Sequence, residues 1–248
     1  MPSFQAATLP YDSRPDLAEA HSRAWERIAE AGTWWTGSQR VALAAATRGS
    51  MACVLCAARR EALSPNAVQG KHDHNGVLSD EIVDVVHRIS SDPARLSKQW
   101  FNDVVPAVLS VELYVELVGV LTQTLSIDAL HRGLGIEFEP LPEPQAGEPS
   151  RRRPTRAAQE DAWVPMVGER KLDPEDADLF SGMPKTGTVL RALSLVPSEV
   201  RALIDLSAAQ YLRDTDVADP TAGAHKSLTR AQIELVAARV SSLNECFY

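Results

Sequence analysis

Cys53-Val54-Leu55-Cys56 is the segment of this chain with the most chemistry to offer. The sequence holds three cysteines and opens Met-Pro-Ser-Phe-Gln-Ala-Ala, without a basic segment followed by an apolar run. A Cys-x-x-Cys in that setting points to thiol redox or metal chemistry rather than to a disulfide framework. Gly49 and Ser50 break the preceding helical run, so Cys53 can open a new helix ending near Ser64-Pro65. Free amides at a helix start favour thiolate over thiol. A thiolate attacks an O–O bond and becomes a sulfenic acid, which a neighbouring thiol then condenses with. Arg59 and Arg60, three and four residues beyond Cys56, lie on its face of that helix.

Other readings stand beside this one. Both cysteines could be small buried hydrophobes. Cys53, Cys56, His72 and His74 supply enough ligands for zinc, but their spacing fits no zinc-finger pattern. Haem attachment needs a histidine directly after the second cysteine, where Ala57 stands. His72, His74 and His87 are candidate proton relays. His72 comes first, because Gly70-Lys71-His72-Asp73-His74 is a polar loop soon after the motif. Glu112 and Glu116, one turn apart, could form an acid/base pair, although a solvated stripe is the favoured reading.

The elements that must position these residues read as helices, and the fold class expected is all-α. Leu17, Ala20, Ala24, Ile28 and Ala31 recur at helical spacing between Pro15 and Gly32. Ile82, Val85, Val86 and Ile89 follow a Ser79 cap with Asp80 and Glu81 in the first turn. Val200, Leu203, Ile204 and Leu206 form a stripe after Pro197. Five prolines between 138 and 154 mark an extended connector. The domains expected are therefore 1–137, a linker over 138–165, and 166–248. A hydrophobic fraction of 44% suits a packed core, and a net charge of −8 argues against a nucleic-acid partner. Arg151-Arg152-Arg153 reads as a solvated part of the linker. The most apolar stretch, Leu109–Leu134, carries Glu112, Glu116, Asp128 and His131, which favours a buried helix over a membrane span. A soluble, cytoplasmic protein is expected.

Self-comparison reveals a repeat. Residues 35–53 laid without gaps on 228–246 share Thr36/Thr229, Gln39/Gln232, Ala44/Ala237, Ala45/Ala238 and Cys53/Cys246. Thr-x-x-Gln is a capping box, and each copy starts a helix that runs toward a cysteine seventeen residues on.

At these residues the sequence resembles the alkylhydroperoxidase D / carboxymuconolactone decarboxylase family, over roughly 20–135 and again 185–248. That family's signature is a capped helix, a glutamate twelve residues before a Cys-x-x-Cys, and a histidine four residues after it. The resemblance implies a helical, usually oligomeric fold in which the second cysteine attacks hydroperoxide and the first resolves it. Cys56 would then attack and Cys53 resolve, while Val41 and Arg60 stand at the Glu and His positions. The second copy has its Glu at Glu234 and a resolving position at Cys246. A hydroperoxide substrate, a thioredoxin-like or lipoyl electron donor, a homo-oligomer and no cofactor follow from the resemblance. A non-catalytic assembly module and a lactone decarboxylase-like enzyme are the alternatives, although the latter needs no cysteine pair. Relatives carry the attacking residue just after the position of Tyr248. The expectation is a chain read only as far as a recoded UGA (selenocysteine) codon, with about eighty residues beyond it.

Overall fold

The computed structural model describes residues 14–183, 186–213, 216–217, 219–221, 227–244 and 246. Phe247 and Tyr248, on which the expected continuation turns, lie outside the described residues. The chain is all-α. Among the described residues nine helices are joined by loops: α1 (Pro15–Ala29), α2 (Gly37–Ser50), α3 (Val54–Glu61), α4 (Asp80–Ser91), α5 (Lys98–Val108), α6 (Val111–Leu134), α7 (Thr188–Arg191), α8 (Pro197–Gln210) and α9 (Arg230–Leu243). One antiparallel pair, Ala158–Gln159 with Pro165–Met166, is the single sheet among them.

Local chemistry sets the helix starts. Both Thr-x-x-Gln capping boxes form, at Thr36/Gln39 and at Thr229/Gln232, each satisfying two amides that a helix start leaves free. Ser79, Ser97 and Ser110 cap α4, α5 and α6 more simply, each hydroxyl accepting from one first-turn amide. Gly135 adopts a left-handed conformation (φ 67°) and closes α6, where a side chain would be strained.

α6 is the central helix. α2 packs against α6 and α4, and α8 packs against α6 and α1. The small buried side chains of α2, Ala42, Ala44 and Ala46, let its neighbours approach closely. Among the described helices α6 alone is long and apolar enough to cross a membrane, and just over half of its most apolar window is buried inside the chain.

Glu116, expected on a solvated stripe, is fully buried on α6. It pairs with Arg40 of α2, which also contacts Glu199 of α8 at 2.9 Å, and it accepts the Trp34 amide at 2.5 Å. Burial explains the difference. α6 is enclosed on several sides, so even its polar face must find partners within the protein. Gly119 permits this layer, since a Cβ there would lie 2.4 Å from a Glu199 carboxylate oxygen. Glu112 instead pairs at the surface with Arg153 at 2.9 Å.

The proline-rich segment is extended, as its composition dictates, and it is docked rather than free. The Gln145 and Arg151 amides donate to Ala29 and Thr33 carbonyls, each at 2.8 Å. Glu139 is fully buried. Its carboxylate accepts from Trp25 Nε1 at 2.5 Å and lies 3.3 Å from His21 Nδ1 and 3.1 Å from His131 Nε2. The arginine run is engaged as well: Arg152 pairs with Asp176 and Arg153 with Glu112. The hydrophobic core is continuous across this segment, joining Ile28 and Leu121 to Leu195, Val200 and Leu206. The α8 stripe is thus covered within the chain, and its apolar pattern alone gives no reason for self-association. α9 differs: Ile233 is its one buried residue, while Leu235, Val236, Val240 and Leu243 are exposed.

Candidate functional site

Cys53 and Cys56 sit where two helices meet at a bend. α2 ends at Ser50, whose hydroxyl donates to the Thr47 carbonyl at 2.7 Å, and α3 leaves at 55° to it. Cys53 is the N-cap of α3 and is half-buried; Cys56, one turn in, is buried. Both thiols are free. The far end of α3 is held by Arg95, which donates to the Arg59 and Ala62 carbonyls at 2.8 Å each. The Arg59 carbonyl otherwise accepts only a long bond from the Ala62 amide, at 3.3 Å, and a cation suits that end of the helix dipole.

The loop after α3 returns across the motif. Gly70 lies close against Leu55, where a Cβ would sit 2.9 Å from the tip of that side chain. His72 Nδ1 lies 3.2 Å from Cys53 Sγ and 3.9 Å from Cys56 Sγ. Its other nitrogen, Nε2, lies 2.9 Å from Asp84 Oδ1 on α4. Asp84 also receives Arg59. One turn further along α4, His87 Nδ1 lies 3.4 Å from Cys56 Sγ. The His72 and His87 rings are 4.2 Å apart, centre to centre. Two thiols and two imidazoles therefore converge, with every donor atom within 4.8 Å of every other.

The electrostatics follow from burial and neighbours. Burial pushes the Cys56 thiol up to about 11, and the nearby Cys53 adds to the rise. Burial also drives His87 down to about 4, aided by His72, so this imidazole is neutral at pH 7. Burial alone would raise the Asp84 carboxyl, but hydrogen bonds from Arg59 and His72 outweigh it and hold Asp84 below its ordinary value. A cleft of about 460 Å³ opens beside the cluster, lined by His72, Asp84, Arg59, Lys71 and His74 among others, but by neither cysteine.

Of the residues singled out in the sequence, Cys53, Cys56, His72 and His87 come together. Glu234 and Cys246 do not join them. Glu234 accepts from Tyr211 at 2.8 Å and from Arg230 at 2.6 Å, and Cys246 is exposed beyond α9. His74, the fourth member of the zinc set read from the sequence, turns to Asp80 at 2.8 Å, and His87 takes its place in the cluster. His87 and Asp84 are three apart on α4 and so share a face, a signal the sequence carried but which nothing local tied to the cysteines.

A second buried group, His21, His131 and Glu139, is a closed hydrogen-bonded network. His21 Nε2 meets Gln210 at 3.1 Å, and His131 Nδ1 meets the Glu137 carbonyl at 2.5 Å, so each ring nitrogen is already engaged. In comparisons with known proteins the chain matches no family model, no curated protein and no solved structure.

Proposed function

We propose that the chain is a thiol oxidoreductase that reduces hydroperoxides at the Cys53–Cys56 pair, in the manner of the alkylhydroperoxidase D-like proteins it resembles. One observation carries this reading: Cys53 Sγ is 3.2 Å from His72 Nδ1, whose Nε2 is held by Asp84 at 2.9 Å. A nucleophile, a base within hydrogen-bond reach and a carboxylate that orients the base are the parts an activated thiol needs.

The roles of the cysteines are exchanged relative to the family pattern. Cys53 is the more exposed thiol and the nearer to His72, so it attacks, while Cys56, buried and pushed up to about 11, resolves. His72 takes the Cys53 proton. The thiolate attacks the hydroperoxide, and the leaving alkoxide is protonated to the alcohol as Cys53 becomes a sulfenic acid. The Cys56 thiol condenses with it, giving the disulfide and water. A dithiol reductant of thioredoxin or lipoyl type restores both thiols. His72, 3.9 Å from Cys56, is also placed to take the second proton. His87, driven down to about 4, is too weak a base to share this role at neutral pH.

Trapping of sulfenic acid by dimedone, followed by peptide mapping, tests this on chelator-treated, reduced protein. Cys56→Ser is expected to accumulate a labelled Cys53 and no disulfide. His72→Ala is expected to slow Cys53 oxidation by about 10²- to 10⁴-fold. Label on Cys56 in Cys53→Ser at the wild-type rate would reverse the roles, and two thiols untouched by hydroperoxide would end the redox reading.

A further inference from the structure

The four donors that converge at the α2–α3 bend also meet the requirements of a metal ion. We propose that Cys53, Cys56, His72 and His87 bind one zinc ion tetrahedrally when the cysteines are reduced. This inference stands on the ligand geometry and does not rest on peroxidase activity.

Zinc takes sulfur at about 2.3 Å and imidazole nitrogen at about 2.0–2.1 Å in structural sites. Tetrahedral angles then place sulfur about 3.6 Å from nitrogen and the two sulfurs about 3.8 Å apart. Cys53–His72 at 3.2 Å, Cys56–His87 at 3.4 Å and Cys56–His72 at 3.9 Å straddle that sulfur–nitrogen edge. These three edges lie within about 0.4 Å of the tetrahedral value, and all four donors lie within 4.8 Å of one another. The donor chemistry selects the ion. Two sulfurs and two imidazoles suit zinc, and the set offers none of the oxygen ligands that calcium or magnesium demand.

The surroundings of His72 fit as well. A metal-bound histidine usually donates its outer N–H to a carboxylate, which fixes the ring, and Asp84 does this for His72 at 2.9 Å. By contrast, the His21–His131–Glu139 group already spends its nitrogens on protein partners and needs no ion. The four ligands come from the start of α3, the following loop and α4, so the ion would tie the long loop to the helices on either side of it. With four protein ligands no position is left open, which marks a structural rather than a catalytic site. The same sulfurs cannot hold zinc and form the Cys53–Cys56 disulfide, so ion and disulfide are alternative states of one centre.

Zinc binding is measured on the full chain, reduced and stripped with a chelator, by competition with a chromophoric chelator, and cobalt(II) replaces zinc for spectroscopy. One ion per chain is expected, with a tetrahedral cobalt spectrum that includes thiolate-to-metal charge transfer. Bound zinc should protect Cys53 and Cys56 from alkylation. Asp84→Asn should weaken binding by about 10- to 100-fold. Cys53→Ser and His87→Gln should weaken it further, and Cys53, half-exposed, is the variant least prone to misfold. Absence of stoichiometric binding, a cobalt spectrum without thiolate charge transfer, or affinity unchanged in both Cys53→Ser and His87→Gln would overturn the proposal. Disulfide formation by hydroperoxide in a chain that binds no zinc would overturn this inference alone. Tight zinc binding, with no peroxide-driven disulfide in the zinc-stripped, reduced chain, would overturn the redox reading alone.

Discussion

Glu139 provides a sharp test of how the chain is held together. It lies in the proline-rich segment, yet its carboxylate is fully buried against Trp25 and His21 of α1 and His131 of α6. Glu139→Ala removes the acceptor from three buried groups at once. One buried donor left unsatisfied costs about 1–3 kcal/mol, and breaking a buried charged pair about 3–5 kcal/mol. Water entering the vacated space would relieve some of this, so a loss of about 3–5 kcal/mol is expected. At about 2–4 °C per kcal/mol for a chain of this size, Tm should fall by roughly 6–20 °C. The pH dependence has a definite sign. Burial alone would raise the Glu139 carboxyl, but His21, Trp25 and His131 outweigh it and hold it below the ordinary value. A carboxyl depressed in the folded state binds fewer protons there than in the unfolded chain. Its contribution is full above the unfolded pKa of about 4.3 and is lost as pH falls through the folded value. The gap between wild type and Glu139→Ala should therefore be widest at neutral pH and close in acid. Scanning calorimetry at several pH values measures both effects. A drop of less than about 2 °C at pH 7 would mean that this segment is a loose tether and the reasoning is wrong.

Two further outcomes follow from the same physics. Burial pushes the Glu116 carboxyl up, and Arg40, which Glu116 shares with Glu199, does not fully offset it. Stability attributable to Glu116 is present below its unfolded pKa and declines as pH rises toward the folded one, so Glu116→Gln should be neutral or stabilising by about 1–2 kcal/mol at pH 7. Urea midpoints across the pH range would show a flatter profile, and a clear destabilisation at pH 7 would contradict it. Thr36→Ala should cost about 1 kcal/mol of global stability, because α2 lies in the core, whereas Thr229→Ala should loosen only α9. Equal shifts in the thermal midpoint would refute that contrast, and faster amide exchange confined to α9 would support it.

The parts legible in the sequence are those decided within a few residues. Both capping boxes, the serine caps, the break at Gly49-Ser50 and the helix opening at Cys53 depend on amides and side chains no more than a turn apart. His72 could be chosen from its polar loop close behind the cysteines. His87 and Asp84 were weaker signals, because α4 meets the motif only through its packing on α2 and α3. Glu116 misled for a related reason. Its neighbours in sequence suggest a polar stripe, and only the arrival of Arg40 from α2 and Glu199 from α8 makes its burial tolerable.

The amino-acid order by itself thus determined that the chain is helical, where most of its helices begin, and that two thiols stand at the start of one of them. Helix periodicity, capping and proline geometry act over short distances and need no knowledge of the rest of the molecule. Tertiary structure alone decided which imidazoles face those thiols, that Asp84 holds one of them, and that Glu234 and Cys246 lie elsewhere. It also decided that the proline-rich segment docks through Glu139 and that α8 completes the core around α6. Such pairings depend on which faces meet once apolar surface is buried, a property of the whole chain that no local window contains.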